Sequence, residues 1–282
     1  MTDTRRTPAN GRVAAHDMVP FPTGHRAVEG APFTVSVPVA DLLRRPEGPR
    51  DRQLLLGANV LVFETVGEWC FVQALADDYV GYVARSCLHP TKEPATHSVQ
   101  TPATHAYAEP NMKSPDLLAL SFGARLRVIG ENGSFFQTEQ GFVPRGHLQH
   151  CDDHMQDPIA VAELFLGTPY LWGGNSRAGI DCSGLVQAAL LACGIPCPGD
   201  SYQQEQELGR AIPLGACQVP DDLQRGDLLF WKGHVALMHS ADTMIHANAH
   251  HMAVVLEPVD AAVARILDQG DGPVTCHRRL TE

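Results

Sequence analysis

The sequence predicts an α+β domain preceded by two small all-β barrels. Three observations predict it. Two early segments alternate apolar and polar residues between Gly-rich turns and look like copies of one unit. After Cys151 the pattern changes to helix-type runs with capping residues at their starts. From Asp227 onward short β-type runs dominate, and helices followed by an antiparallel sheet make an α+β domain.

The chain has 282 residues, room for two or three compact units, and 44% of them are hydrophobic, enough to bury a core. The formal charge of −11 is spread along the chain, which argues against a nucleic-acid partner, since that needs clustered Lys and Arg. There is no run of about 18 apolar residues, so no membrane span is expected. The opening "MTDTRRTPANGRVAAHDMVP" has no apolar core of a secretory signal, and the chain reads as cytoplasmic. Its 8 cysteines are scattered, as suits thiols in a reducing compartment.

Residues 1–34 are polar, interrupted by Pro, Gly and Thr, and read as an arm that lies across the body or stays partly unstructured. The first β unit is placed at 35–90 and the second at 98–151. The first contains "GANVLVFETVGEW" and then "GYVARSCL"; the second contains "GARLRVIGENGSF" and then "GFVPRGHL". Gly57/Gly123, Val62/Val128, Gly67/Gly133 and Trp69/Phe135 keep one offset. The ending Gly-aromatic-Val-x-Arg-x-x-Leu recurs at a shorter one, so one loop is shorter in the second copy. These units resemble bacterial SH3-like domains, which commonly flank cell-wall enzymes. The stretch His89–His105, rich in Pro, Thr and Ser, reads as an extended tether between them.

The third domain is placed at 157–282. "DPIAVAELFLG" predicts a helix capped by Asp157, with Pro158 at its first position and Gly167 at its end. A loop with two aromatics, "TPYLWGGNSRAGI", leads into a second helix, "CSGLVQAALLACG". The strands expected after it are "DLLFW", "HVALMHS", "TMIHAN" and "MAVVLEPV".

Cys182 stands at the mouth of that second helix. A thiol with a reference pKa of roughly 8.5 is mostly protonated at neutral pH, and a helix N-terminus stabilises its anion. Backbone N–H groups of Cys182 or Ser183 would also face an oxyanion there. Gly179 and Gly184 allow the tight backbone this needs. The bland reading, a buried thiol packing as a small hydrophobe, fits Cys193, Cys70 and Cys217 better. Among 14 histidines, position decides the base. His234 opens a strand, where a side chain can face a cleft; His239, farther along, is the lesser candidate. His246 can approach His234 if their strands pair through "ADT", and would orient it. A metal site on His246 and His250 with a cysteine is the competing reading. Its spacing matches no common zinc pattern, and neither HExxH nor paired CxxC is present, so no metal or cofactor is expected.

The order Cys–His–His, with "PYLWGG", "DCSG", "RGDLLFW" and "MIHAN" in sequence, resembles the NlpC family of papain-like cysteine peptidases over roughly 157–258. With two SH3-like units in front, the chain resembles the family's dipeptidyl-peptidase branch. Its members cleave γ-D-glutamyl–diamino-acid bonds in murein peptides with a free N-terminal L-alanine. The resemblance implies Cys182 as nucleophile, His234 as general base and His246 as orienting residue. Tyr170 would serve the oxyanion and Trp172 would line the cleft. Asp181 and Ser183 would contact the D-glutamyl part, largely through backbone. Asp200 and Ser201 of "GDSYQQ" would bind the substrate ammonium, a charge-assisted contact that rejects blocked N-termini. The same stretch also reads as a helix cap, in which Ser201 could serve. In the family, the first SH3-like unit brings an aromatic residue near the substrate amine, here Tyr79 of "DDYVGYV". An acid often follows "LLxG" in that unit. Here Ala58 and Asn59 follow Gly57, so the amine contact is weaker or Glu64, Glu68 or Asp78 takes that place.

Two rival functions stay open. One is a non-catalytic muropeptide-binding or sensing protein on the same scaffold. The other is an amidase or acyltransferase with a different acyl substrate.

Overall fold

The computed structural model describes residues 3–215 and 219–280, so the expectation for Cys217 lies outside the described residues. The chain divides into two units, Met1–Asp153 and His154–Glu282.

The first unit opens with β1 (Val13–Ala15) and β2 (Arg26–Val28), paired in parallel. There follow β3 (Ala31–Val35), β4 (Val39–Leu43), β5 (Arg50–Leu55), β6 (Asn59–Val66), β7 (Trp69–Ala74), β8 (Val80–Ala84) and β9 (Leu88–Pro90). They form one sheet in the order β5-β4-β8-β7-β6-β3-β9. A second set comprises β10 (His97–Val99), β11 (Ala103–Tyr107), β12 (Asp116–Ser121), β13 (Arg125–Leu126), β14 (Val128–Asn132), β15 (Phe135–Thr138), β16 (Gly141–Pro144) and β17 (Leu148–His150). Its sheets run β12-β11-β16-β15-β14 and β13-β10-β17. With β13 and β14 standing where β6 stands, the neighbour order of the first set recurs strand for strand.

The repeated residues occupy equivalent structural positions. Gly57 and Gly123 have φ of 78° and 81°, and Gly67 and Gly133 have φ of 58° and 57°. The second pair sits first in two-residue hairpin turns, a position that calls for Gly. The Arg-x-x-Leu endings form single 3-10 turns at Arg85–Cys87 and Arg145–His147, which deliver Leu88 and Leu148 into their cores.

Three boundaries differ from the sequence expectation. Strand β3 begins at Ala31, before residue 35, and pairs with both β6 and β9. The N-terminal arm, described from Asp3, is part of the first β set. Val13 and Ala15 bury with Phe63, Phe71 and Val80, while Arg12 pairs with Glu64 at 2.7 Å. The span His89–His105 is no extended tether, because it contains β10 and the start of β11. Val99 and Ala106 anchor those strands in the second core, and Pro94 and Pro102 fall in the connections outside both strands. The two sets also share a joint. Leu56 buries among the second set's core residues, and its carbonyl accepts the Arg125 N–H at 2.8 Å.

The second unit contains α1 (Pro158–Glu163), β18 (Asn175–Ser176), β19 (Gly179–Ile180), α2 (Cys182–Ala192) and α3 (Ser201–Glu207). After these come β20 (Arg210–Ile212), β21 (Leu228–Trp231), β22 (His234–Met238), β23 (Thr243–Asn248), β24 (Ala253–Pro258), α4 (Val259–Asp268) and β25 (Cys276–Arg279). The main sheet is antiparallel, in the order β20-β25-β21-β22-β23-β24. Asp157 caps α1 through a 2.9 Å bond from the Ile159 N–H. The helix stops at Glu163, earlier than expected, because bonds three residues back tighten the chain toward Gly167. The sequence reading did not anticipate α4. Its Val259, Ala262, Val263 and Ile266 recur at helical spacing and pack on Leu229, Trp231, Ala236 and Met244 of the sheet. Among the described residues, no helix is long and apolar enough to cross a membrane.

Candidate active site

Cys182 is the first residue of α2, a helix buried along most of its length. Asp181 is the N-cap. Its Oδ1 accepts the Gly184 N–H at 2.7 Å and its Oδ2 accepts the Gly173 N–H at 2.9 Å. A Cβ on Gly184 would run into the Gly174 carbonyl, so the loop and the helix start can approach only with glycine there. The Cys182 sulfur faces the backbone N–H groups of Val235, Ser183 and Cys182 itself. Burial, and then the Asp181 charge, push the thiol up to about 12, with those N–H groups opposing. At rest Cys182 is therefore a thiol. Among the described residues seven cysteines, Cys182 among them, are free thiols, and the C-cap residue Cys193 is pushed up to about 11 by burial.

Val235 directly follows His234, so the nucleophile candidate and the base candidate meet at the start of β22. Strands β22 and β23 form the expected hairpin, with Leu237 opposite Ile245. His234 Nε2 lies 3.0 Å from His246 Nδ1. Burial, and then the neighbouring His246, bring His234 down to about 3. His246 is also lowered, chiefly by burial and partly offset by Glu257. Both rings are neutral at pH 7. His239 is elsewhere, bonded to Glu163 at 2.7 Å.

Tyr170 is half-buried, and its hydroxyl is held above its usual pKa by burial first and then by the charges of Cys182 and Asp181, so it remains a donor. An open cavity of about 360 Å³ is lined by Tyr170, Lys232, His234, Asn248, His250 and Arg265. Trp172 is 67% exposed. The Ser183 hydroxyl donates to Asp181 at 3.2 Å, and its carbonyl accepts from Gln204 at 3.0 Å. Asp200, not Ser201, is the N-cap of α3, and the Gln203 side chain closes back onto the Asp200 N–H at 3.1 Å. Among the described residues, no group of three His, Cys, Asp or Glu side chains could hold a metal.

Two charged residues that the sequence reading passed over stand behind the histidines. Glu257 Oε2 is 3.0 Å from His246 Nε2, and Arg265 donates to both Glu257 oxygens at 3.0 and 2.7 Å. Burial would raise the Glu257 carboxyl, but the bonds from His246 and Arg265 outweigh it and hold it at about 2. The available signal was a lone acid inside the apolar run "AVVLEPV".

In the first unit, Tyr79 is 1% exposed and packs in the core with Val35, Leu42 and Val83. Its hydroxyl accepts from Arg5 at 2.7 Å. Glu64 is occupied by Arg12 and Asn10.

Residues 167–265 match the NlpC/P60 family, and residues 42–88 match the bacterial dipeptidyl-peptidase SH3 domain. The γ-D-glutamyl-L-lysine dipeptidyl-peptidase of Bacillus subtilis (strain 168) is 32% identical over 219 residues, covering 69% of this chain and 71% of that protein. Dipeptidyl-peptidase 6 of Lysinibacillus sphaericus is 26% identical over 223 residues, covering 70% and 79%. The crystal structure of an NlpC/P60 family protein from Bacillus cereus ATCC 10987 shares the fold at a TM-score of 0.74 and 22% identity, over 89% of this chain and 100% of that one. Together these matches define a hydrolase of the papain-like peptidase class. Within that class, the chain belongs to the NlpC/P60 family and carries a bacterial SH3 domain ahead of its peptidase domain.

Proposed function

We propose that this peptidase hydrolyses the γ-D-glutamyl–diamino-acid bond of murein peptides that carry a free N-terminal L-alanine, releasing L-Ala-D-Glu. One observation carries the reading. The Cys182 sulfur sits at a helix N-terminus against the N–H of Val235, next in chain to a His234 ring bonded to His246. The activity for which the Bacillus subtilis relative is named, a γ-D-glutamyl-L-lysine dipeptidyl-peptidase, supports the choice of bond.

In this reading His234 takes the Cys182 proton as sulfur attacks the γ-carbonyl of D-glutamate. The nitrogen of His234 not engaged with His246 is the one that reaches the proton. Negative charge collects on the carbonyl oxygen, where backbone N–H at Cys182 and the Tyr170 hydroxyl receive it. The imidazolium returns the proton to the leaving amine, which departs and leaves a thioester on Cys182. His234 then deprotonates a water that attacks the thioester, and the thiol is regenerated as L-Ala-D-Glu leaves. Trp172, Asp181 and Ser183 line the acyl side. Asp200 and Ser201 hold the substrate ammonium, with Asp200 serving as helix cap as well. The proposed domains are an N-terminal arm and two SH3-like barrels, the second formed by β10–β17, ahead of the peptidase domain. Neither a metal nor a cofactor takes part in the scheme.

The test is mass spectrometry of the protein incubated with L-Ala-γ-D-Glu-meso-diaminopimelate or the L-lysine analogue, with N-acetylated controls. Release of L-Ala-D-Glu from the free peptide, abolished in Cys182→Ala, supports the proposal. Equal turnover of acetylated peptide would remove the dipeptidyl specificity. Tight binding without release would favour a binding protein.

A further inference from the structure

The hydrogen bonds behind His234 run in one direction, and a carboxylate lies at their end. Met244 pairs with Glu257 across β23 and β24, and His246 pairs with Val255. Because strand side chains alternate, Glu257 and His246 project to the same face, one pleat apart. His246 is 1% exposed. Its Nε2 meets Glu257, and its Nδ1 meets His234 Nε2, each at 3.0 Å. Arg265 of α4 grips both carboxylate oxygens.

We propose that Glu257, held by Arg265, fixes the tautomer of His246 and through it leaves Nδ1 of His234 as the bare, base-competent nitrogen. The inference rests on the reading of His234 as general base. An ionised carboxylate only accepts, so the proton of neutral His246 sits on Nε2. His246 Nδ1 is then a bare acceptor. His234 must donate to it from Nε2, which leaves Nδ1 of His234 without a proton.

A second neighbour pulls the other way. Asn248 Nδ2 is 3.0 Å from the same His246 Nε2, and its amide is pinned in that orientation because its Oδ1 accepts the His251 N–H at 2.8 Å. An amide donor there would favour a bare Nε2, put the proton on Nδ1, and reverse the whole chain. The charge decides the contest, since a charge-assisted bond is roughly twice as strong as a neutral one. Glu257 and Arg265 are thus positioning residues. They act on the reaction only through His246.

Glu257→Gln removes the charge and hands the choice to Asn248. The double variant Glu257→Gln/Asn248→Asp puts a carboxylate back beside His246 Nε2 while keeping an acceptor for His251. The readout is a long-range proton–nitrogen NMR spectrum of the full chain with labelled histidine at pH 7. The two rings are assigned by the signals lost in His234→Gln and His246→Gln. Wild type should show the proton on Nε2 of both rings, Glu257→Gln on Nδ1 of both, and the double variant on Nε2 again. In turnover, Glu257→Gln should lose about 10³-fold in kcat with KM little changed, less than the roughly 10⁴-fold of a triad carboxylate made an amide because Glu257 acts one residue further back, and the double variant should recover at least about tenfold. A wild-type His246 protonated on Nδ1 would overturn the proposal, even if no variant folds. So would a Glu257→Gln spectrum with unchanged tautomers, or a double variant no better than the single. Because the spectra need no substrate, a wrong substrate assignment leaves them readable, and the two failures can be told apart.

Discussion

Asp181 Oδ1 accepts the Gly184 N–H at 2.7 Å, a bond that spans Cys182 at the start of α2. The same carboxylate holds Gly173 on the preceding loop, so one side chain both caps α2 and aligns the loop bearing Tyr170 and Trp172. It also works against the thiolate, since its charge raises the Cys182 pKa. Asp181→Asn should therefore shift alkylation of Cys182 by iodoacetamide to lower pH. Asp181→Ala should add a loss of about 1 kcal/mol in stability from the missing cap. An alkylation profile that does not move would mean that the carboxylate charge does not reach the sulfur.

Acid should weaken the second unit ahead of general acid unfolding. The unfolded-state reference for His234 is 6.5, and burial takes the folded value to about 3. A lowered folded pKa means that the unfolded chain binds more protons between those values. The contribution is complete above about pH 6.5 and is lost as pH falls toward 3. His246 and Glu257 shift in the same direction, so their losses add. The slope per group is at most about 1.4 kcal/mol per pH unit. Melting temperatures between pH 7 and 4 should fall more steeply for wild type than for His234→Gln. Parallel curves would place the sensitivity elsewhere.

Tyr170→Phe removes only a hydroxyl. If that hydroxyl donates to the oxyanion, kcat should drop by about 10²-fold or more while KM changes little. Because the phenol is held above its usual pKa, the loss should be the same across pH 6 to 9. A rise in KM alone would make Tyr170 a binding residue.

Gly57→Ala should be costly in the first unit. The position has φ of 78°, and an added Cβ would collide with the Arg125 carbonyl, so a loss of about 2–4 kcal/mol is expected. Gly67→Ala is the control. Its φ is 58°, but nothing lies within 4 Å of the added carbon, so backbone strain of about 1 kcal/mol is the whole effect. Denaturant titration of both variants separates collision from strain.

Much of this was legible because local chemistry dictated it. The Asp157-Pro158 start of α1, the capped entry to α2 at Cys182 and the hairpin joining His234 to His246 each rest on residues close in sequence. The repeat was legible because two turns and two Arg-x-x-Leu endings demand particular residues. What escaped depended on distance. Helix α4 has clear helical spacing, but it follows Pro258 directly, and its first residue Val259 also closes the strand-type run "MAVVLEPV", which hides where the strand ends and the helix begins. The role of the arm needed Phe63 and Phe71 to be seen as its partners. Glu257 looked like a stray charge until His246 and Arg265 were brought to it.

The joint at Leu56 bears on how such a protein could have arisen and how freely it can be rearranged. A duplicated β module ordinarily keeps its own interior and can be shuffled between genes as a self-sufficient piece. Here the first copy contributes Leu56 to the interior of the second, and the Arg125 N–H closes on the Leu56 carbonyl. Excising either copy would leave the other with a hole or an exposed leucine. A shared interior couples their unfolding, so heat should melt the two β sets in a single step.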